Sequence, residues 1–332
     1  MKRITAIFAA LLLLWGCSSD RYIAIRGYAQ GGTYTVKLNL RGVKEKPARI
    51  KQAIDSILME IDGTLSGYNK KSVLSRFNAG QDVCLPPMFK DLYAMSRELW
   101  EETGGAFDVA AGPLYDAWGF GFSRDSLPND KLVAGIMAVC GMKNMPAEAD
   151  SLKADGIRKL NFNAIAQGYS CDLVAQYLYG IGVKDMLVDI GEIFCDGLNP
   201  GGKGWTIAVD TPQDGNQSPG EQISAKWTSD GGPCGIVTSG NYRKFYVRDG
   251  KKYAHTIDPR TGYPVSHQLL SATIKAPKGA LADAMATYCM VIGLEEAKQY
   301  ILARKDLEGL LIYEQNGEML QWHSPGFAIS DP

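Results

Sequence analysis

The sequence predicts an α+β fold: a single compact domain with antiparallel sheets and packed helices. Three observations carry this. The first half repeats apolar residues at helical spacing, whereas short, turn-bounded strands dominate from about residue 184. Two strong hairpin signals, Asp249-Gly250 and Asn316-Gly317, require strands that turn straight back on themselves. No repeat and no linker-like stretch divides the chain, so one domain is expected over 22–332.

Taken in order, residues 33–40 alternate as a strand. Ile50, Ala53, Ile54, Ile57, Leu58 and Ile61 recur at the spacing of an amphipathic helix. A second helix starts at Pro87 and runs past Leu92, Met95 and Leu99. Asn129 is placed to cap a third, which ends near Gly141. A fourth covers 165–180. Strands follow at 186–190, 205–210 and 223–227. The two hairpins are formed by 242–247 with 252–256 and by 310–314 with 318–322. Between the hairpins, helices cover 279–291 and 294–303. The Gly-, Pro-, Asp- and Gln-rich stretch 198–220 reads as surface loops around one strand.

The first residues have a different character. Met1-Lys2-Arg3 is followed by an apolar run to Leu14 and then Trp15-Gly16-Cys17. A charged start, a short apolar stretch and a small residue before a cut describe an export signal over 1–16. The run is too short to span a bilayer, which takes about 20 residues. Cysteine after Gly16 is the residue that a lipoprotein signal peptidase requires. Cys17 is therefore expected to be lipidated, with 17–21 as a tether, in a bacterial envelope protein facing the periplasm. Trp15 stands where a small residue is usual.

With 35 basic and 36 acidic residues and no basic stripe, nucleic acid is not an expected partner. Six cysteines remain after Cys17, scattered and often inside apolar runs, without CxxC or zinc spacing; they read mostly as small core residues.

Four segments are richer in Gly, Asp, Thr and Asn than packing requires. The glycines before Ala106-Phe107-Asp108 either let the backbone approach a ligand or simply end a helix. Asn161 to Tyr169, at a helix mouth, suits an anion or is an ordinary capped entry. His255 and Asp258 are either a base and its orienter or part of a turn. Asp283 and Thr287, four apart on one helix face, offer the hard oxygens that magnesium takes; alternatively Asp283 caps its helix.

In this order, the segments resemble one family over nearly the whole mature chain: the FAD:protein FMN transferases, or ApbE flavin transferases. The resemblance rests on Gly32-Thr33-Tyr34, Leu65 to Asn69, Ser75 to Asn78, Gly105 to Asp108, Ala164 to Tyr169, Asp189 to Gly191, Thr238 to Gly240, His255 to Gly262 and Ala282 to Thr287. It implies a T-fold-like domain with FAD as substrate. Magnesium would be held by Asp283, Thr287 and the carbonyl of Ala164, and a further role in catalysis falls to Asp283 and to His255 as general base. FAD would meet Tyr68 at the flavin, Ala106, Phe107 and Asp108 on the adenine side, Ile257, and Asn161 and Gln167 near the phosphates. The acceptor would be a protein carrying Asp-x-x-Ser/Thr-Gly-Ala-Ser/Thr, a motif absent from this chain.

Two departures affect charge. The family usually has lysine at Gln167 and aspartate at Asn161, so one charge of each sign is missing. The departures leave a non-catalytic FAD-binding lipoprotein as one alternative reading; a second is an FAD pyrophosphatase giving FMN and AMP, which the same site becomes if water attacks in place of the acceptor.

Overall fold

The computed structural model describes residues 21–120, 127–213, 216, 220–242, 245–248 and 251–331. The expected leader over 1–16, most of the expected tether and the expected Asp249-Gly250 turn lie outside the described residues. In chain order the elements are β1 (Tyr22–Ala29), β2 (Gly32–Asn39), α1 (Pro47–Leu65), α2 (Val73–Asn78), α3 (Pro87–Glu102), α4 (Gly112–Ala117), α5 (Asp130–Val139) and α6 (Ala166–Gly180). They continue with β3 (Met186–Asp189), β4 (Ile193–Asp196), β5 (Thr206–Asp210), β6 (Ile223–Thr228), β7 (Cys234–Gly240), β8 (Phe245–Arg248), β9 (Lys251–Ala254), β10 (Ile257–Asp258), β11 (Tyr263–Pro264) and β12 (Leu269–Ala276). The chain closes with α7 (Gly279–Ile292), α8 (Leu294–Ala303), β13 (Glu308–Gln315), β14 (Glu318–His323) and β15 (Ile329–Ser330).

Eight strands form the main sheet, ordered β1-β2-β3-β4-β7-β12-β13-β14, and every neighbouring pair is antiparallel. One face is covered by helices. Ile50, Ile54, Leu58 and Ile61 of α1, the residues of the sequence stripe, are buried in the largest core cluster with Val36, Val188, Val237 and Leu311. The other face carries a small sheet, β15-β6-β5, whose Trp205, Trp227 and Ile207 bury Leu187, Cys195, Ile236, Leu310 and Ile312. Central strands are therefore apolar on both faces, as expected where a sheet is covered on both sides. A third, smaller cluster joins α4 and α5 to Ile257.

Local signals hold where they were strong. Asn129 caps α5 by accepting the Leu132 N–H at 2.9 Å. Asn316 and Gly317 both take positive φ, 57° and 82°, as a two-residue hairpin turn requires. The strand expected over 242–247 begins later, at Phe245, leaving Tyr242 in a bend. No helix among the described residues is long and apolar enough to cross a membrane.

Candidate active site

The site is built around a seam of glycines. α7 packs against α6, β7 and β12. At the crossing, a Cβ on Gly168 would collide with the Gly279 carbonyl and lie 2.8 Å from Cβ of Asp283. A Cβ on Gly235 would lie 2.5 Å from Cα of Gly279. Only hydrogen at these positions lets the start of α6 touch α7. Asp172 of α6 locks the seam: its two oxygens accept the N–H groups of Gly279 at 2.7 Å and Ala280 at 2.9 Å. Asp172 thus caps α7 from another helix. Asp283, the alternative cap, lies five residues into the helix and does not do so.

Asp283 instead turns across the seam, and its Oδ2 accepts the Gly168 N–H at 3.0 Å. The residue is 4% exposed. Burial pushes its carboxyl up to about 7, only partly offset by the backbone donors at Gly168 and Gln167. A carboxylate so placed favours a cation beside it. One helical turn on, Thr287 Oγ1 lies 3.3 Å from Ser239 Oγ of β7. Asp283, Thr287, Ala164, Ser239 and Glu192 all line one cleft of about 300 Å³.

The turn after α3 also borders this cleft. Thr103 ends that helix, with Oγ1 donating to Leu99 O at 2.7 Å and accepting the Phe107 N–H at 3.1 Å. Gly104 and Gly105 follow with φ of 57° and 83°. The segment is thus a helix terminus, and it also brings Ala106, Phe107 and Asp108 to the cleft. The Asp108 carboxylate is engaged within the protein: it accepts the N–H groups of Ala110 at 2.7 Å and Met142 at 3.0 Å. Burial still raises it to about 6. Asp108 and Pro259 also border a second cavity of about 160 Å³ that contains Trp100, Lys143 and Arg260.

Asn161 joins this turn to the start of α6. Its N–H donates to Val109 O at 2.7 Å, and its side-chain oxygen accepts the Asn163 N–H at 2.9 Å. Tyr68 stands at the mouth, 65% exposed, in a loop pinned by Ser66 Oγ, which accepts the N–H groups of Tyr68 and Asn69. His255 lines the cleft edge-on to Phe120, with ring centroids 6.4 Å apart. Asp258 is engaged elsewhere, receiving the Arg260 N–H at 2.9 Å and two guanidinium contacts at 3.0 Å.

Nine of the residues singled out from sequence therefore share the cleft: Tyr68, Ala106, Phe107, Asp108, Asn161, Ala164, His255, Asp283 and Thr287. Two do not line it. Ile257 has its side chain fully buried beside Ala111, Leu114 and Trp118, so a ligand could meet only its main chain. Gln167 donates from Nε2 to Ile190 O at 3.3 Å, beneath Gly191. Sequence reasoning missed Asp172, Glu192, Tyr115, Tyr242 and Met290.

The donor set fits magnesium. Among the described residues no group of three His, Cys, Asp or Glu could hold a metal by itself. Magnesium does not need one: it is usually held by one or two carboxylates, with waters and substrate phosphates completing the shell. One buried carboxylate and a hydroxyl, with Ala164 lining the same cleft, match that pattern.

Known proteins align with this architecture. The ApbE family model matches residues 31–311. The chain is 32% identical to the FAD:protein FMN transferase of Vibrio cholerae, covering 98% of each. It is 31% identical to that of Haemophilus influenzae, covering 95% of this chain and 93% of the relative. Among solved structures, the flavin transferase ApbE from Vibrio cholerae superposes with a TM-score of 0.79 at 30% identity, over 93% of this chain and 99% of that one. The flavinyl transferase ApbE of Pseudomonas stutzeri, in its apo form, gives 0.80 at 31%, over 93% and 96%.

Proposed function

Because this chain belongs to the ApbE family, we propose that it transfers FMN from FAD to a serine or threonine hydroxyl of an acceptor protein, releasing AMP. The observation that carries the reading is the meeting of Asp283, Thr287 and Ala164 on one cleft that the 106–108 turn also borders. In this reading the Asp283 side of the cleft holds the diphosphate and the 106–108 turn receives the nucleoside.

Asp283 and Thr287 present oxygens from successive turns of α7, and Ala164 adds its carbonyl from the mouth of α6. These residues would hold magnesium, which when bound would supply charge neutralisation at the diphosphate. Tyr68, exposed on a pinned loop, offers its ring face to the flavin. The 106–108 turn contacts the adenosine half through its backbone, since the Asp108 carboxylate is already engaged. The acceptor oxygen attacks the FMN-side phosphorus, the bond to the AMP phosphate breaks, and His255 takes the hydroxyl proton. Gln167 does not line the cleft and is held by Ile190 O, so it does not replace the charge that a lysine would bring near the phosphates.

The acceptor in this reading carries Asp-x-x-Ser/Thr-Gly-Ala-Ser/Thr. The leader over 1–16 supports a protein exported to the bacterial envelope and held at a membrane by lipid on Cys17.

Chromatography of AMP and FMN after incubation with FAD, magnesium and an acceptor tests the chemistry. AMP without free FMN is expected. Equal AMP and free FMN would make water the acceptor and the protein a pyrophosphatase. No AMP would reduce it to an FAD-binding module.

A further inference from the structure

Cys195 of β4 and Cys234 of β7 stand directly opposite each other in the antiparallel ladder. Their Sγ atoms are 3.7 Å apart and both side chains are buried. Free cysteine is common in cores, so burial alone says nothing. Register is the informative observation. Directly opposed residues in antiparallel strands have Cα atoms about 4.5 or 5.5 Å apart. Both values fall inside the range of about 4.4–6.8 Å that a disulfide spans. Side chains at opposed positions also point to the same face of the sheet. At those separations the sulfurs can be brought together by rotation about each Cα–Cβ bond.

We infer that Cys195 and Cys234 form a disulfide site that clamps β4 to β7. The step is a thiol–disulfide exchange with an external disulfide, either a thiol oxidoreductase or a small-molecule disulfide. One thiolate attacks that disulfide, giving a mixed disulfide and one reduced thiol. The second cysteine then displaces the other sulfur. The protein loses two electrons and two protons, one S–S bond forms and one breaks, and the oxidant leaves as a dithiol or as two thiols.

Burial sets the timing. Trp227 of β6, with Trp205 and Phe327 just outside the strands of the small sheet, shares one buried cluster with this pair, so exchange takes place as the chain folds, before β5 and β6 cover it. The exported location proposed above would supply an oxidising compartment; the geometry does not depend on it. The link encloses a separation of 39 residues that contains β5 and β6. It therefore restricts the unfolded chain substantially. It also fixes the strand that follows Glu192 against the one that carries Thr238 and Ser239 to the cleft.

The test maps thiols in the full chain. Cells exporting the protein are lysed in denaturant with N-ethylmaleimide, and its peptides are identified by mass spectrometry without reductant. A second sample is reduced, unfolded and refolded with reduced and oxidised glutathione before the same treatment. The expected result is one linked species containing Cys195 and Cys234, split by reductant, with Cys84 alkylated in both samples. A link in either sample supports the site, and the pair of samples separates geometry from compartment. Full alkylation of Cys195 and Cys234 in both samples, or their linkage to other cysteines, overturns it. As a second readout, reductant should lower the urea midpoint of the linked protein and leave that of Cys234→Ala unchanged; equal shifts in both would also overturn it.

Discussion

Asp283 reaches across the seam between α7 and α6, its Oδ2 accepting the Gly168 N–H at 3.0 Å across 115 positions of sequence. The bond separates the structural from the chemical part of this residue. Asparagine can still accept from Gly168, but it carries no charge. Asp283→Asn should therefore keep its unfolding midpoint close to that of the parent while losing about 100-fold or more in AMP release. Urea unfolding and AMP chromatography on the same preparation check both halves. A large loss of stability with activity retained would remove Asp283 from the chemistry.

The seam itself is a stability claim. Gly168→Ala would place a methyl against the Gly279 carbonyl and the Cβ of Asp283, neither of which can rotate away. A loss of about 3 kcal/mol is expected, at the upper end of overpacking. Gly63→Ala is the control. Gly63 is in α1 with nothing within 4 Å of an added Cβ, so alanine there should stabilise by about 1 kcal/mol. Denaturant midpoints of the two variants should move in opposite directions.

Asp108 predicts a pH dependence. Burial raises its folded carboxyl from 3.8 to about 6, so the folded state holds a proton that the unfolded state has already released. Its contribution is fully present below about pH 4 and is lost as pH rises through 6, up to about 3 kcal/mol. Asp108→Asn should be less stable overall, because amide hydrogens would face the donor at Met142, and it should lack this slope between pH 4 and 6. Unfolding free energies at several pH values distinguish the two proteins.

Gln167 offers a charge test. Its Nε2 donates to Ile190 O beside Gly191, next to the cleft rim at Glu192. Gln167→Lys would bring an ammonium to that rim, and KM for FAD should fall several-fold, most clearly at low salt. An unchanged KM would place this side chain outside the phosphate field.

Much of the helical layer was legible because its residues obey one period. Ile50 to Ile61 of α1 face a single core, and Asn129 and Asn316-Gly317 act through local geometry alone. The strands β7 and β12 were not. Ile236 and Val237 of β7 lie in different core clusters on opposite faces, so no polar residue marks an outer side. The site was legible through motif resemblance more than through physics. Asp283 fitted a helix cap as well as a metal ligand until its position inside α7 separated the two. Asp172 gave no signal, because the N–H groups it binds lie 107 and 108 positions away.

The most direct measurement is the intact mass of an acceptor protein carrying the threonine motif, after incubation with this chain, FAD and magnesium. The enzyme described here should add one FMN residue to the acceptor. That addition should disappear when the motif threonine is changed to alanine and fall steeply with Asp283→Asn. An acceptor of unchanged mass, beside free FMN and AMP or beside intact FAD, would contradict FMN transfer by this chain.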